Sequence, residues 1–165
     1  MLTLFQPACT FPKSANIGFS AFIANSPLSS SAVLTNWKTS FPFFKSTNFS
    51  ESSGNYTVPA TGTYFMEVVI TYITNGAISV SMGMNPTFIV RRISPSQANI
   101  LSGTFPIINI GGTVTVRTIL GNGQVVMSGV VQLTKGDLID VYYNSDGMTI
   151  DFNLLSAVWA VNLVP

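Results

Sequence analysis

The chain has 165 residues, a formal net charge of +1 and no histidine. That length fits one domain, and such a chain buries roughly 70% of its unfolded surface, enough to build a core without disulfides or metals. Seven basic residues against six acidic ones form no basic patch for nucleic acid, and the missing imidazole excludes histidine-based metal sites and triads.

Only 8% of the residues are charged, against about 25% in ordinary soluble domains. A surface with so little charge dissolves poorly on its own. Much of it is therefore expected to be covered by protein, either further copies of the chain or a larger assembly. The chain is 47% apolar, with strand patterns throughout, which argues against disorder. Cys9 is the sole cysteine, so no internal disulfide is possible.

Residues 1–15 read as an extended arm, in which Leu2, Leu4 and Phe5 make one short strand and which docks on a neighbour or on its own sheet. No signal peptide is read there, because no basic segment precedes the apolar residues and Pro7 and Pro12 interrupt them. Residues 16–165 read as the domain. Asn16–Ala24 is the first strand, Ser26–Ser31 a loop, and Val33–Phe44 a short irregular strand with Trp37, Phe41, Phe43 and Phe44. A turn-rich loop, Asn48–Ser53, leads into Gly54–Tyr72.

That stretch reads as a short strand ending at Pro59, a corner closing at Gly62 and a long strand from Thr63. Tyr64, Met66, Val68, Ile70 and Tyr72 alternate onto one face and suit a sandwich core. Phe65, Glu67, Val69 and Thr71 take the other face, which is neither ordinary core nor ordinary surface. Thr74–Gly76 carries a hairpin signal, with Ala77–Met84 as the return strand. Thr87–Ile93 is a further strand, and Ser94–Gly112 an irregular surface excursion. Thr113–Leu120 alternates, and Gly121–Gly123 turns the chain into the strand Gln124–Leu133. Thr134–Asp137 is a turn before the strand Leu138–Tyr143, and Asn144–Gly147 is a second hairpin turn. Met148–Leu163 is the last strand, with a break near Asn153. Short strands punctuated by Gly, Pro and Asn predict an all-β sandwich or barrel with no transmembrane helix.

Four pieces resemble the C1q/TNF-like jelly-roll superfamily. They are Phe19-Ser-Ala21; Gly54-x-Tyr56-x-Val58-Pro59-x-x-Gly62-x-Tyr64-x-Met66; Gln132-Leu133-Thr-Lys135-Gly136-Asp137-x-Ile139; and, least closely, Leu155-Ser156-Ala157-Val158. The resemblance implies a two-sheet antiparallel jelly roll of about ten strands that assembles as a compact homotrimer. It implies that Phe65 and Glu67 face the threefold axis, together with Val126, Ser128 and Val130, and with Trp159 and Val161 of the last strand. The apolar second face of the long strand and the scarcity of charge agree with a shared axial seam. Glu67 does not, because three carboxylates near an axis repel unless paired.

No chemistry stands out. Cys9 has no histidine partner for nucleophilic work. Asp137, Asp140, Asp146 and Asp151 supply oxygen ligands of the type calcium takes, although Asp137 and Asp146 sit beside Gly136 and Gly147 as ordinary turn residues. Gly111-Gly112 and Gly121-x-Gly123 lack the lysine and helix of a phosphate loop. Arg91-Arg92, the sole basic pair, reads as a solvated loop rather than a contact for an acidic partner. No cofactor is expected. The chain therefore reads as a non-enzymatic trimeric building block of a larger particle, such as a viral minor capsid, spike or fibre-head component. The alternative is a secreted C1q/TNF-like ligand or recognition head.

Overall fold

The computed structural model describes residues 17–111 and 116–165. The arm expected over residues 1–15, with Cys9, lies outside the described residues. These contain thirteen strands and no helix. They are β1 (Gly18–Leu28), β2 (Ala32–Val33), β3 (Phe49–Ser50), β4 (Asn55–Thr57), β5 (Gly62–Thr74), β6 (Ile78–Ser79), β7 (Thr87–Ser94), β8 (Ala98–Thr104), β9 (Ile107–Ile110), β10 (Val116–Ile119), β11 (Asn122–Leu133), β12 (Leu138–Asn144) and β13 (Phe152–Leu163).

One sheet has the order β1-β13-β5-β11, and the sheet packed against it runs β3-β4-β12-β7-β8, with β2 also paired to β12. A third, small sheet, β6-β10-β9, sits at one end. Neighbouring strands in these sheets are antiparallel, and the chain crosses repeatedly from one large sheet to the other, which is jelly-roll wiring.

Gly54–Tyr72 organises the core as its alternation predicts: Tyr64, Met66, Val68, Ile70 and Tyr72 are all fully buried. Against them lies an aromatic cluster in which Phe19 stacks on Phe49 at 4.0 Å and meets the edge of Trp159 at 4.9 Å. The Val58-Pro59 corner and the Lys135-Gly136-Asp137 turn touch each other directly. Gly136 donates its N–H to Val58 O at 2.8 Å, and Val58 donates to Asp137 O at 2.9 Å. The Tyr64 hydroxyl closes the corner by donating to Ala60 O at 2.7 Å. Gly54 is fixed by space: its φ is +71°, and a Cβ there would lie 2.1 Å from Leu34 O.

Several turn readings need correction. Residues 74–76 do not form a hairpin, because β5 is flanked by β13 and β11, and the return strand shrinks to β6, which pairs with β10. Asn144–Gly147 likewise joins strands of different sheets. Both turns are real, since Gly76 and Gly147 have positive φ, but in a jelly roll a tight turn as readily sends the chain across the sandwich. The irregular excursion of residues 94–112 contains β8 and β9. β8 passes close to β11, where Cβ atoms added at Gly103 or Gly129 would lie within 3 Å of Val125, Met127 or Leu101 side chains. The polar, glycine-containing sequence of β8 is thus what lets the two sheets approach along this side.

Candidate interaction face

The outer face of the β1-β13-β5-β11 sheet is built by the alternate residues of its four strands. On β5 these are Phe65, Glu67, Val69, Thr71 and Ile73, and the register sets Val130, Ser128 and Val126 of β11 beside Phe65, Glu67 and Val69. On the other side of β5, Asn162, Ala160 and Val158 of β13 lie beside the same three residues. An apolar row, Phe22–Val158–Val69–Val126, crosses all four strands. Val130 is 64% exposed, Val126 52% and Phe65 37%. Glu67 and Ser128 lie between these apolar residues, and polar residues flank them, where Gln132 donates to the Thr63 hydroxyl and Gln124 to the Thr71 hydroxyl.

Five of the residues named from the sequence, Phe65, Glu67, Val126, Ser128 and Val130, lie on this face. Trp159 and Val161 do not: both are fully buried in the sandwich core. Their register explains the correction. Trp159 stands opposite Val68 and Val161 opposite Met66, which are core positions. The pairing of β13 with β5 slips by one between Leu154 and Ser156, so that odd residues after the bulge point inward and Val158, Ala160 and Asn162 point out.

The carboxylates do not converge. Asp137 accepts the Thr134 N–H at 2.9 Å within its turn and lies 3.8 Å from Arg92. Asp140 holds Arg91 through two hydrogen bonds of 2.8 and 3.0 Å, and that pairing raises the affinity of the guanidinium for its proton. Asp146 accepts the Asn85 N–H at 2.7 Å. Asp151 sits apart, in an open depression with Pro27, Leu28, Thr74 and Asn75. Among the described residues no three His, Cys, Asp or Glu side chains form a metal-holding group. Arg91 and Arg92 are structural rather than a free basic pair: Arg91 also lies 3.8 Å over the Tyr142 ring, and Arg92 donates to Ser96. No described helix is long and apolar enough to cross a membrane.

The sandwich is similar in three dimensions to several solved structures. The globular domain of zebrafish complement 1qA matches with a TM-score of 0.56 at 13% identity, over 90% of this chain and 97% of that one. Eiger TNF from S. frugiperda matches with a TM-score of 0.58 at 16% identity, over 90% and 93%. Murine APRIL matches with a TM-score of 0.60 at 11% identity, over 90% and 99%. The fold is the C1q/TNF-like jelly roll. No protein-family model matches the chain, and no curated protein matches its sequence. At these identities the likeness carries the jelly roll alone, and function has to be argued from the residues.

Residues 38–44, read as part of an irregular strand, form a strap along the free edge of β1. Phe22 and Lys38 exchange backbone hydrogen bonds of 2.9 and 2.8 Å. Thr39, at the start of the strap, donates its N–H and hydroxyl to Glu51 at 2.9 and 2.6 Å, and these bonds hold the Glu51 carboxyl below its ordinary range. The run of phenylalanines at 41, 43 and 44 was the available signal.

Proposed function

We propose that this chain is a non-enzymatic, self-assembling jelly-roll module: a homotrimer packed through the outer face of the β1-β13-β5-β11 sheet. Trimers of this kind serve as building blocks of a larger particle, such as a viral minor capsid, spike or fibre head, displayed at the particle surface. The observation that carries the reading is that the outer face exposes apolar side chains on both sides of a single charged residue, Glu67, in a chain with only 8% charged residues. A face of this composition gains from leaving water, and three copies closing around an axis cover it without leaving an open edge. The resemblance in the motifs supports the same stoichiometry. Residues 1–15 then contact other structural proteins of the particle.

A second reading is a secreted ligand or recognition head acting outside the cell. It is favoured by the likeness to the complement 1qA domain, to Eiger TNF and to APRIL. Density-gradient fractionation of the native source separates the two. The structural reading predicts that the chain sediments with particles and stays with them through salt washes. Recovery only as free protein in a secreted fraction overturns it in favour of the ligand reading.

A further inference from the structure

Phe41 is 96% exposed, the most exposed large apolar side chain among the described residues. Its setting is firmly built. Ser20 donates its N–H to Phe44 O at 3.0 Å, Phe44 donates back to the Ser20 hydroxyl at 3.2 Å, and Phe43 donates to Ser40 O at 3.0 Å to close the turn that carries Phe41. Phe43 stacks on Phe22 with ring centroids 4.8 Å apart. The strap is therefore tied to β1 on both sides of an aromatic ring that contributes nothing to the core. A large rigid side chain presented on a pinned turn gives up little conformational entropy on docking, and buried aromatics of this sort dominate interface energetics.

We propose that Phe41 is the anchor by which one copy of this chain grips the next, seating against Val126 and Val130 on the β11 edge of the neighbouring copy. This rests on the assembly reading above and names the contact that reading leaves open. Subunits in a closed ring meet through two different patches, not through one patch meeting itself. The outer face supplies two unlike apolar edges. One is the phenylalanine strap on β1; the other is the Val126–Val130 edge of β11, at the opposite end of the strand order β1-β13-β5-β11. The strap is continuous with the face, because Phe22 beneath Phe43 begins the apolar row that ends at Val126. The face between the two edges carries no charge but Glu67, so its neighbour is recognised by apolar shape, and a second copy offers the matching edge.

The test uses the full chain with Phe41→Ser and Val130→Asp, both at exposed positions, with near-ultraviolet circular dichroism confirming the fold. In sedimentation velocity at micromolar concentration, Phe41→Ser weakens assembly by at least about tenfold, as loss of an interface anchor does. Each variant alone has every contact damaged. Mixed, they share one intact contact, Phe41 of the Val130→Asp chain against Val130 of the Phe41→Ser chain, and form one-to-one pairs that do not close into a ring. A Phe41→Ser chain that assembles like the wild type overturns this inference and leaves the assembly reading standing. A mixture that forms no pairs overturns the match of Phe41 with Val130. A wild-type chain that remains monomeric overturns both.

Discussion

Glu67 on β5 stands directly opposite Ala160 on β13, with Ser128 of β11 on its other side. The ion pairs among the described residues join Lys45 to Glu51, Arg91 to Asp140 and Arg92 to Asp137, and none reaches Glu67. In a trimer closed on this face, three such carboxylates approach one another in a partly dehydrated seam, where like charges oppose association. Replacing Glu67 with Gln keeps the shape and removes the charge. It is expected to tighten the trimer by at least about tenfold in dissociation constant, measured by analytical ultracentrifugation, since like-charge juxtaposition costs on the order of a kcal/mol or more. Weaker assembly would mean that Glu67 meets a cation of another copy.

The long strand β5 was legible because its two faces differ at period two and the inward one is uniformly large and apolar. The last strand was not, although it is just as apolar. Alternation gives two possible faces, and only pairing decides between them. The extra residue at Leu155 changes the phase part-way along β13, so Trp159, which a family register sends outward, turns into the core opposite Val68. A bulge of one residue leaves no mark in composition. The hairpin-like turns failed for a related reason: Asn-Gly and Asp-Gly report local backbone geometry, whereas the strand that follows is chosen by long-range pairing.

The Arg91–Asp140 pair sits where β7 and β12 are in register, and the Asp140 side chain is only 1% exposed. Asp140→Asn keeps the volume and strands the guanidinium with no carboxylate in an almost dry site. Breaking one member of such a pair typically costs about 3–5 kcal/mol, and the Tyr142 ring still under Arg91 favours the lower end. Urea unfolding should show the midpoint falling with an unchanged slope. A loss under about 1 kcal/mol, typical of surface pairs, would show that the pair contributes no more than an exposed one.

Burial pushes the Tyr143 hydroxyl up to about 12, and the Tyr56 hydroxyl is raised as well, chiefly by burial. Neither oxygen has a hydrogen-bond partner among the described residues. The unfolded chain ionises its tyrosines near about pH 10, so their contribution is fully present below that pH and is lost as pH rises towards the folded value. Stability is therefore expected to fall between about pH 10 and 12, with the phenolate absorbance of these two buried tyrosines appearing only as the chain unfolds. Tyr143→Phe should blunt that fall and cost little at neutral pH, because the hydroxyl it removes is unpaired. An unchanged alkaline profile in the variant would place the sensitivity elsewhere.

Under the proposed function, residues 1–15 make contacts beyond the trimer. Deleting them is expected to leave the melting temperature and the trimer intact while abolishing recovery of the chain with particles. The measurement is gradient fractionation of particles assembled with the truncated chain. Loss of folding on deletion would instead make the segment part of the domain.

Sedimentation equilibrium of the full chain at micromolar concentration bears most directly on the proposed trimer. The apolar outer face predicts a single species of three times the 17.7 kDa chain mass, stable in high salt because almost no charge holds it together. A monomer that persists to the highest soluble concentration would contradict it.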